Sequence, residues 1–294
     1  MFGLAVIPGY FCQLLVQFDR TLHDTRVKIQ YQLLLADKLN MSLPLLIVDS
    51  GSGGFSLLDA IQSKIPELSL TYAADYAGCP YGDRDPMDII ERVISLVDAV
   101  QSLRAHGMLL VACNTASTVI LDHLRQRYTM PIVGVVPAVK PAFERYPGGK
   151  ILLLATPQTV DGEYLEELVS KYSGGTNLCR YGNTDLVCLT ERFLAGGTQS
   201  SEFYDVLAPL GRQSFDAVVL GCTHFSLIKT QLQEIFLGAE LIDSAKSVAS
   251  RVDSVAKGSL ARGNERILYV TSKETPSIDY LRSLGFPDKN LIEL

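Results

Sequence analysis

From Leu45 onward, short apolar runs alternate with longer segments that have helical periodicity. The runs are rich in Leu, Ile and Val at consecutive positions, which is typical of strands buried on both faces of a parallel sheet. The segments between them place apolar residues on one face, as helices that cover a sheet do. The pattern predicts the α/β fold class. Strands are predicted at 45–48, 68–73, 108–112, 132–135, 151–155, 176–180, 217–220, 240–242 and 268–271, and helices at 55–64, 87–106, 116–128, 162–172, 225–236 and 277–284.

The first part of the chain lacks this pattern. Residues 2–16 are largely apolar, but Pro8 and Gly9 interrupt the run and no basic segment precedes it. Neither a signal peptide nor a membrane span is therefore predicted. We assign 1–42 to an N-terminal extension whose residues 20–40 favour a helix. Because Met41 stands just before the first predicted strand, the extension is either a functional arm or the product of an upstream start.

Two halves of the chain resemble each other in the position of a cysteine. The strand that ends at Asp49 is followed by one that ends at Cys113, and the strand that ends near Thr156 is followed, at nearly the same interval, by one that ends at Cys222. Each cysteine precedes a helix, at the edge where open parallel sheets bind ligands. The repeat predicts two similar halves that place these cysteines on opposite walls of a cleft.

Composition narrows the functions open to this fold. A chain of 294 residues is long enough for about two domains, and 47% hydrophobic with 20% charged residues is typical of a compact protein. The net charge of -6 gives no general attraction to phosphate backbones or anionic membranes, so neither nucleic acid nor a membrane is expected as the main partner. Six cysteines without a CxxC pair fit neither a disulfide scaffold nor a zinc ribbon, and a cytoplasmic location is predicted.

The two strand-end cysteines are candidate reactive thiols. Cys113 is followed by Asn114, Thr115 and Ser117, which are residues that cap helices, so backbone N–H groups are expected to lower the pKa of its thiol. The alternative is a buried cysteine that acts as a small apolar residue. Three polar side chains would then line the core at a free-energy cost unless something binds them.

Cys222 has the same setting, and His224 lies two positions further along the chain. A neutral imidazole can accept the proton of the thiol, and an imidazolium can stabilise the thiolate. Cys113, Cys222 and His224 could also supply three zinc ligands, but only the last two are close in sequence. No metal site is predicted.

Acidic residues near the predicted strand ends add to the candidate chemistry. Asp49 opens a glycine-rich turn, Asp49-Ser50-Gly51-Ser52-Gly53-Gly54, whose glycine spacing matches neither the dinucleotide nor the phosphate-loop pattern. The turn can bring backbone N–H groups to a small anion such as a carboxylate, and Asp49 is either a helix N-cap or a base. Asp75 ends another strand, and Glu191 lies in a segment whose simplest interpretation is a solvated helix face.

Two thiols on facing strand ends suit a reaction that needs one base on each face of a nearly symmetric centre. Racemisation of an amino acid is such a reaction. One cysteine, as thiolate, removes the α-proton, and the other, as thiol, donates a proton from the opposite face. The carbanionic charge that develops requires preorganised N–H donors in a site that excludes water.

Four motifs together resemble the glutamate racemases of the aspartate/glutamate racemase superfamily. They follow the order of that family from about Leu45 to the C-terminus. The resemblance implies a cofactor-independent isomerase that interconverts L- and D-glutamate and supplies D-glutamate for peptidoglycan. The motifs are Asp49-Ser50-Gly51-Ser52-Gly53-Gly54, Pro80-Tyr81-Gly82, Cys113-Asn114-Thr115-Ala116-Ser117 and Gly221-Cys222-Thr223-His224-Phe225.

The resemblance also implies roles for individual residues. Cys113 matches the base that acts on D-glutamate, and Cys222 matches the base that acts on L-glutamate. Asp49 and His224 match the groups that assist these thiols. Two further acids of the family's site match Asp75 and Glu191, and its substrate contacts match Asp49, Ser50, Tyr81, Gly82, Asn114, Thr115, Thr223 and His224.

The resemblance extends to a subgroup and to its regulation. Segments 91–101 and 134–141, together with the extension, look most like the racemases of enteric bacteria, members of which are activated by UDP-N-acetylmuramoyl-L-alanine. That activation is an expectation for this chain. Ser52, Cys79 and Ser226 depart from the residues common in the family, which are apolar at the first two positions and proline at the third. None of the three is expected to touch the chemistry.

These observations combine into one set of expectations. The fold class is α/β with two pseudo-symmetric domains, each a mostly parallel sheet covered by helices, and the active site lies in the cleft between them. We expect residues 43–137 plus 246–294 to form the first domain and 138–245 the second, in a monomer or homodimer. Two alternatives stay open: a racemase for aspartate or another amino acid, and a protein that binds a small carboxylate without chemistry.

Overall fold

The computed structural model describes residues 42–210 and 213–294. The predictions for the N-terminal extension, including its helix at 20–40, lie outside the described residues. The described chain forms two sheets of parallel strands, which confirms the predicted α/β class. The strands are β1 Leu45–Asp49, β2 Leu70–Ala74, β3 Met108–Val111, β4 Ile132–Gly134, β5 Lys150–Ala155, β6 Asn177–Gly182, β7 Ala217–Leu220, β8 Glu240–Ile242, β9 Arg266–Val270 and β10 Asn290–Leu291.

Helices cover these sheets and connect successive strands, as parallel pairing requires. Within the described ranges no helix is both long enough and apolar enough to cross a bilayer. The helices are α1 Leu58–Lys64, α2 Pro86–Leu103, α3 Asn114–Arg127, α4 Val139–Arg145, α5 Pro157–Val160, α6 Glu163–Tyr172, α7 Asp185–Leu194, α8 Glu202–Leu207, α9 Thr223–Leu227, α10 Lys229–Ile235, α11 Ala245–Ala256 and α12 Ile278–Ser283.

The first sheet has six strands in the order β10-β9-β2-β1-β3-β4. Strand β1 is fully buried and pairs in parallel with β2 and β3, with Val48 opposite Val111. Asp49 therefore ends β1 beside the point where the chain leaves β3 for Cys113. Strands β9 and β10, from the C-terminal part of the chain, extend this sheet beyond β2.

The second sheet has four strands in the order β6-β5-β7-β8. Leu154 of β5 lies opposite Leu220 of β7, so Thr156 and Cys222 follow at the same edge. Gly221 makes this close pairing feasible, since a Cβ atom at this position would lie 2.8 Å from the Cβ atom of Ala155. Each sheet thus ends in a polar edge that carries one of the two cysteines.

The structure departs from the predicted helices in ways that have local causes. The single helix predicted at 225–236 is two helices, because the backbone at Ile228 leaves the helical region (φ -109°, ψ 27°). The helix predicted at 55–64 begins as a 3₁₀ turn, Gly53–Leu57. Helix α11 was not predicted, although Val248, Ala249, Val252 and Ala256 form its buried face.

Candidate active site

Both strand-end cysteines stand between a strand and a helix. Cys113 follows β3 and is the extended residue that begins α3 (φ -85°, ψ 123°), and Cys222 follows β7 and begins α9 in the same way (φ -135°, ψ 135°). Both are free thiols, and their exposed fractions are only 7% and 6%. The two helix N-termini therefore present backbone N–H groups close to two buried sulfur atoms.

Helix α3 brings the two sheets together at these edges. The Nδ2 atom of Asn114 donates a hydrogen bond to the carbonyl of Gly221, at 2.7 Å. The hydroxyls of Thr115 and Thr156 lie 2.9 Å apart. The residue after one cysteine thus contacts the residue before the other, and the two edges face each other as the repeat predicts.

Asp49 lies between the two cysteine-bearing edges. Its Oδ1 atom accepts hydrogen bonds from the Gly51 N–H (2.9 Å) and the Ser50 hydroxyl (3.3 Å), and its Oδ2 atom accepts one from Thr223 of the second edge (3.4 Å). The carboxylate closes a turn rather than capping a helix. Burial raises the pKa of Asp49, and the positive charge of His224 and the Gly51 N–H only partly oppose this effect.

The pKa expected for Cys113 from its helix N-terminus is wrong in direction. Burial raises the pKa of the Cys113 thiol, and the nearby charge of Asp49 raises it further. The Ala116 N–H at the start of α3 does act in the expected direction but is outweighed. Desolvation destabilises a thiolate at this position by more than the single N–H donor stabilises it. Cys113 is therefore held as a thiol. The Ser50 hydroxyl lies 4.0 Å from its sulfur.

The environment of Cys222 is set by a buried histidine. The Nδ1 atom of His224 lies 3.9 Å from the sulfur of Cys222, and Nε2 lies 2.7 Å from Oε1 of Glu191. Burial lowers the pKa of His224, but hydrogen bonds to Cys222, Cys79 and Glu191 outweigh it and raise the pKa well above its usual value. The imidazole is therefore an imidazolium beside the Cys222 sulfur.

Glu191 is not on a solvated helix face, so the simplest interpretation of its sequence is wrong. It lies on α7, and the exposed fraction of its side chain is 19%. Burial raises the pKa of the Glu191 carboxyl, but hydrogen bonds and the charge of His224 reverse this and leave the pKa below its usual value. The carboxylate and the imidazolium form a buried ion pair that joins α7 to α9.

Two of the residues that depart from the family also lie here, contrary to expectation. The N–H of Ser52 donates to Oε1 of Glu191 (2.6 Å), and its hydroxyl donates to Oε2 (2.8 Å) and lies 2.8 Å from the hydroxyl of Tyr76. Cys79 contributes a thiol to the group around His224. Sequence reasoning identified both positions as unusual but did not connect them with Glu191, because the three lie on separate elements.

Asp75 occupies a separate network behind the site. Its carboxylate accepts two hydrogen bonds from Arg92 (2.6 and 2.8 Å), one from Tyr81 (2.8 Å) and one from Thr271 (2.7 Å). No sequence signal pointed to Arg92. Asp75 holds Tyr81, which packs in the same apolar cluster as Cys113, but the structure places no direct contact between Asp75 and either thiol.

The turn that carries Tyr81 and Gly82 closes against the second sheet. A Cβ atom on Gly82 would lie 2.9 Å from both Cβ and Cγ2 of Thr156, so the backbone approaches this threonine as only glycine allows. The Thr184 hydroxyl donates to Asp83 at 2.7 Å. These contacts place the turn from the first sheet at the rim of the facing edge.

The amino-acid sequence is similar to that of known racemases. The family model described as Asp/Glu/Hydantoin racemase matches residues 56–252. The glutamate racemase of Pectobacterium atrosepticum is 42% identical over 211 residues, covering 70% of this chain and 74% of the relative, and that of Shewanella sp. (strain MR-7) is 38% identical over 217 residues, covering 73% and 80%.

Solved structures agree with the same family. The crystal structure of Escherichia coli glutamate racemase, in complex with L-glutamate and the activator UDP-MurNAc-Ala, superposes with a TM-score of 0.78 at 34% identity and covers 85% of this chain and 98% of that one. Residues 56–252, which the family model matches, contain both strand-end cysteines, Glu191 and His224. The chain belongs to the Asp/Glu/hydantoin racemase family and, within it, to the glutamate racemases.

Proposed function

We propose that the protein interconverts L- and D-glutamate by direct proton transfer at Cα, with Cys113 and Cys222 as the two bases and without a cofactor. The observation that carries this mechanism is the pair of buried free thiols at the facing edges of two sheets, linked by the hydrogen bond from Asn114 to Gly221. A proton removed on one face and returned on the other inverts the centre, and sulfur atoms on opposite walls can act in this way.

The resting arrangement is the form of the enzyme that acts on L-glutamate. The imidazolium of His224 lies beside Cys222 and stabilises its thiolate, which removes the α-proton of L-glutamate. Cys113 keeps its proton, since burial and Asp49 raise the pKa of its thiol, and donates it to the opposite face of the carbanion. The cycle leaves Cys222 protonated and Cys113 as thiolate, which is the state that acts on D-glutamate.

The residues around the thiols supply a site for an amino acid. The Oδ1 atom of Asn114 is buried and has no hydrogen-bond partner within the described part of the chain. The bond from Nδ2 to Gly221 fixes the amide orientation, so Oδ1 is available to accept a hydrogen bond from the α-ammonium group of a substrate. Backbone N–H groups of α3 and α9 can bind carboxylate and stabilise the carbanion. The remaining proposed contacts are Asp49, Ser50, Tyr81, Gly82, Thr115, Thr223 and His224.

We propose that Asp75 acts by positioning another residue and that Glu191 acts through its charge. Asp75 positions Tyr81 through the hydrogen bond at 2.8 Å, and Glu191 keeps His224 charged. Asp49 lies between both edges and is within reach of the Ser50 hydroxyl beside Cys113. His224 and Asp49 therefore assist the thiols directly. Asp75 and Glu191 act on them indirectly, through Tyr81 and His224.

The mechanism is tested with purified protein to which no cofactor is added. We expect it to interconvert L- and D-glutamate and to exchange the α-proton of either enantiomer with deuterated solvent. Cys113→Ala and Cys222→Ala should each abolish turnover, whereas Cys188→Ala, at an exposed cysteine, should not. Full activity in either of the first two variants would overturn the two-base assignment. Turnover of aspartate rather than glutamate would favour the alternative of a racemase for another amino acid. Absence of α-proton exchange with solvent would favour a protein that binds a small carboxylate without chemistry.

We also propose that UDP-N-acetylmuramoyl-L-alanine activates this protein, since the E. coli enzyme binds UDP-MurNAc-Ala as its activator. A cavity of about 500 Å³ lies between α3 and β4 and is lined by Arg125, Tyr164 and Arg251. Arg251 is a cation that suits a phosphate group, and Arg125 is paired with Asp122 of the same lining. Stimulation by the nucleotide should be lost in Arg251→Ala and retained in Arg282→Ala; stimulation that survives the first change would place the activator elsewhere.

We propose a cytoplasmic location, since both the supply of D-glutamate for the cell wall and free catalytic thiols fit it.

We also propose a first domain of 43–137 plus 246–294 and a second of 138–245. Each domain would contain one of the two sheets, since β9 and β10 pair with the first sheet. Monomer and homodimer are distinguished by sedimentation of the purified chain, with and without L-glutamate.

A further inference from the structure

Three side chains of different chemistry converge at one point beside the proposed site. Sγ of Cys79, a carboxylate oxygen of Glu191 and a ring nitrogen of His224 all lie within 4.8 Å of one another. We propose that these three residues form a binding site for a zinc-class divalent cation, and that such a cation inhibits the enzyme reversibly. The site rests on the geometry of these residues and not on the identity of the substrate.

The position of Gly51 shows how closely the three ligand atoms surround one space. A Cβ atom built on Gly51 would collide with Oε1 of Glu191 and would lie 3.1 Å from both Sγ of Cys79 and Nε2 of His224. The missing side chain thus leaves the space between the ligand atoms open. A tetrahedral zinc ion needs sulfur at about 2.3 Å and nitrogen and oxygen at about 2.0–2.2 Å, which separates neighbouring ligands by a little over 3 Å.

Small movements convert the present arrangement into that geometry. Nε2 of His224 and Oε1 of Glu191 are 2.7 Å apart and share a proton, which the cation would replace. The other carboxylate oxygen is already held by the Ser52 hydroxyl at 2.8 Å, and Nδ1 of His224 faces the sulfur of Cys222 at 3.9 Å. Groups of this kind orient the ligands of known metal sites from behind.

The donor set selects among cations. Binding also releases the thiol proton of Cys79 to solvent, and the resulting thiolate, with imidazole and one carboxylate, favours zinc, and cobalt(II) as its spectroscopic substitute, over magnesium or calcium, which prefer oxygen ligands. The three residues come from three elements: the loop after β2, α7 and α9. A bound cation would therefore join both sheets and hold His224 as a metal ligand instead of as the imidazolium that assists Cys222, which explains why we expect inhibition.

The test measures binding and inhibition separately on the purified full-length chain. Cobalt(II) should produce a thiolate-to-cobalt absorption band at one equivalent, and zinc should displace it. Cys79→Val and Cys79→Ser should weaken zinc binding by at least about tenfold, as loss of a ligand does, while Cys188→Ser should bind as the wild type. In parallel, zinc should inhibit the wild type, and a chelator should restore its rate.

Each variant is compared with its own zinc-free rate, so a change in basal activity does not affect the result. Thermal unfolding shows whether each variant is folded. Glu191→Gln should also weaken zinc binding, since it removes the carboxylate ligand, and it provides a second route if Cys79 variants are unstable. Equal zinc affinity in wild type and folded Cys79→Val would overturn the proposal, as would a cobalt complex without a thiolate band. If the protein binds zinc but racemises no amino acid, the metal site stands and the proposed function fails.

Discussion

The Nε2–H group of His224 donates to Oε1 of Glu191 at 2.7 Å and thereby joins helix α9, which follows Cys222, to helix α7. The imidazole is almost fully buried, and the carboxylate side chain is 19% exposed. Burial of two charges is costly unless they are paired and hydrogen-bonded, and Ser52 completes this requirement by donating to both carboxylate oxygens. The pair therefore keeps a positive charge beside the sulfur of Cys222.

Glu191→Gln should reduce kcat by about tenfold to a hundredfold with a smaller change in KM, because the amide leaves His224 without its counter-charge. Racemisation has an equilibrium constant of one, so kcat/KM must fall equally in both directions. The step at Cys222 should nevertheless become limiting: the isotope effect of α-deuterated L-glutamate should rise more than that of α-deuterated D-glutamate. Glu234→Gln, at an exposed position, is the matched control. Equal isotope effects from both enantiomers would contradict this role.

Asp75→Ala should lower the free energy of unfolding by about 3 kcal/mol, because it leaves the Arg92 guanidinium and the Tyr81 hydroxyl without their buried partner. Denaturant unfolding with an unchanged slope measures this loss. Asp122→Ala removes an exposed ion pair with Arg125 and should cost less than about 1 kcal/mol. If both variants lose the same small amount, Asp75 does not hold the fold behind Tyr81.

Gly82→Ala should raise KM for glutamate and destabilise the protein by about 1–3 kcal/mol, since its Cβ atom would lie 2.9 Å from the side chain of Thr156. The clash pushes the Tyr81 turn away from the second sheet. Gly197→Ala is the comparison, because a Cβ there meets only an ordinary contact at 3.6 Å. Steady-state kinetics and thermal unfolding of both variants check the prediction, and wild-type values for Gly82→Ala would refute it.

His106 should make the protein less stable in acid. It is fully buried, and its Nε2 atom lies 2.8 Å from the Thr71 hydroxyl. Burial and the charge of Arg104 lower the pKa of His106 to about 3, whereas in the unfolded chain it stays near 6.5. Between these values the unfolded state binds the extra proton, so the stabilisation is complete above pH 6.5 and is lost as pH falls toward 3.

His106→Gln keeps a polar side chain but cannot titrate, so the slope of unfolding free energy against pH between pH 6 and 4 should decrease. His123→Gln, at an exposed position, should keep the slope of the wild type. Chemical denaturation at several pH values compares the three proteins. An unchanged slope in His106→Gln would mean that carboxylates alone cause the acid sensitivity.

Much of this architecture could be predicted from local patterns. The strand at β7 and the parallel class follow from apolar runs that can be buried only between helices, and both cysteines were expected where a strand meets a helix. Hydrophobic periodicity reports burial along one element, so it performs well for long or uniform segments. It does not record the break between α9 and α10 at Ile228, which is a backbone feature.

The fold class, the two strand-end thiols and, through four motifs, the family could be read from the sequence, because each is encoded in residues close together along the chain. The electrostatics of the site, in contrast, depend on how the chain folds in three dimensions. The pKa of Cys113 is raised because burial and Asp49 outweigh one helix N–H, and Glu191 is charged because Ser52 and His224 approach it from other elements. These effects depend on distances between groups remote in sequence, and no local pattern of residues records such distances.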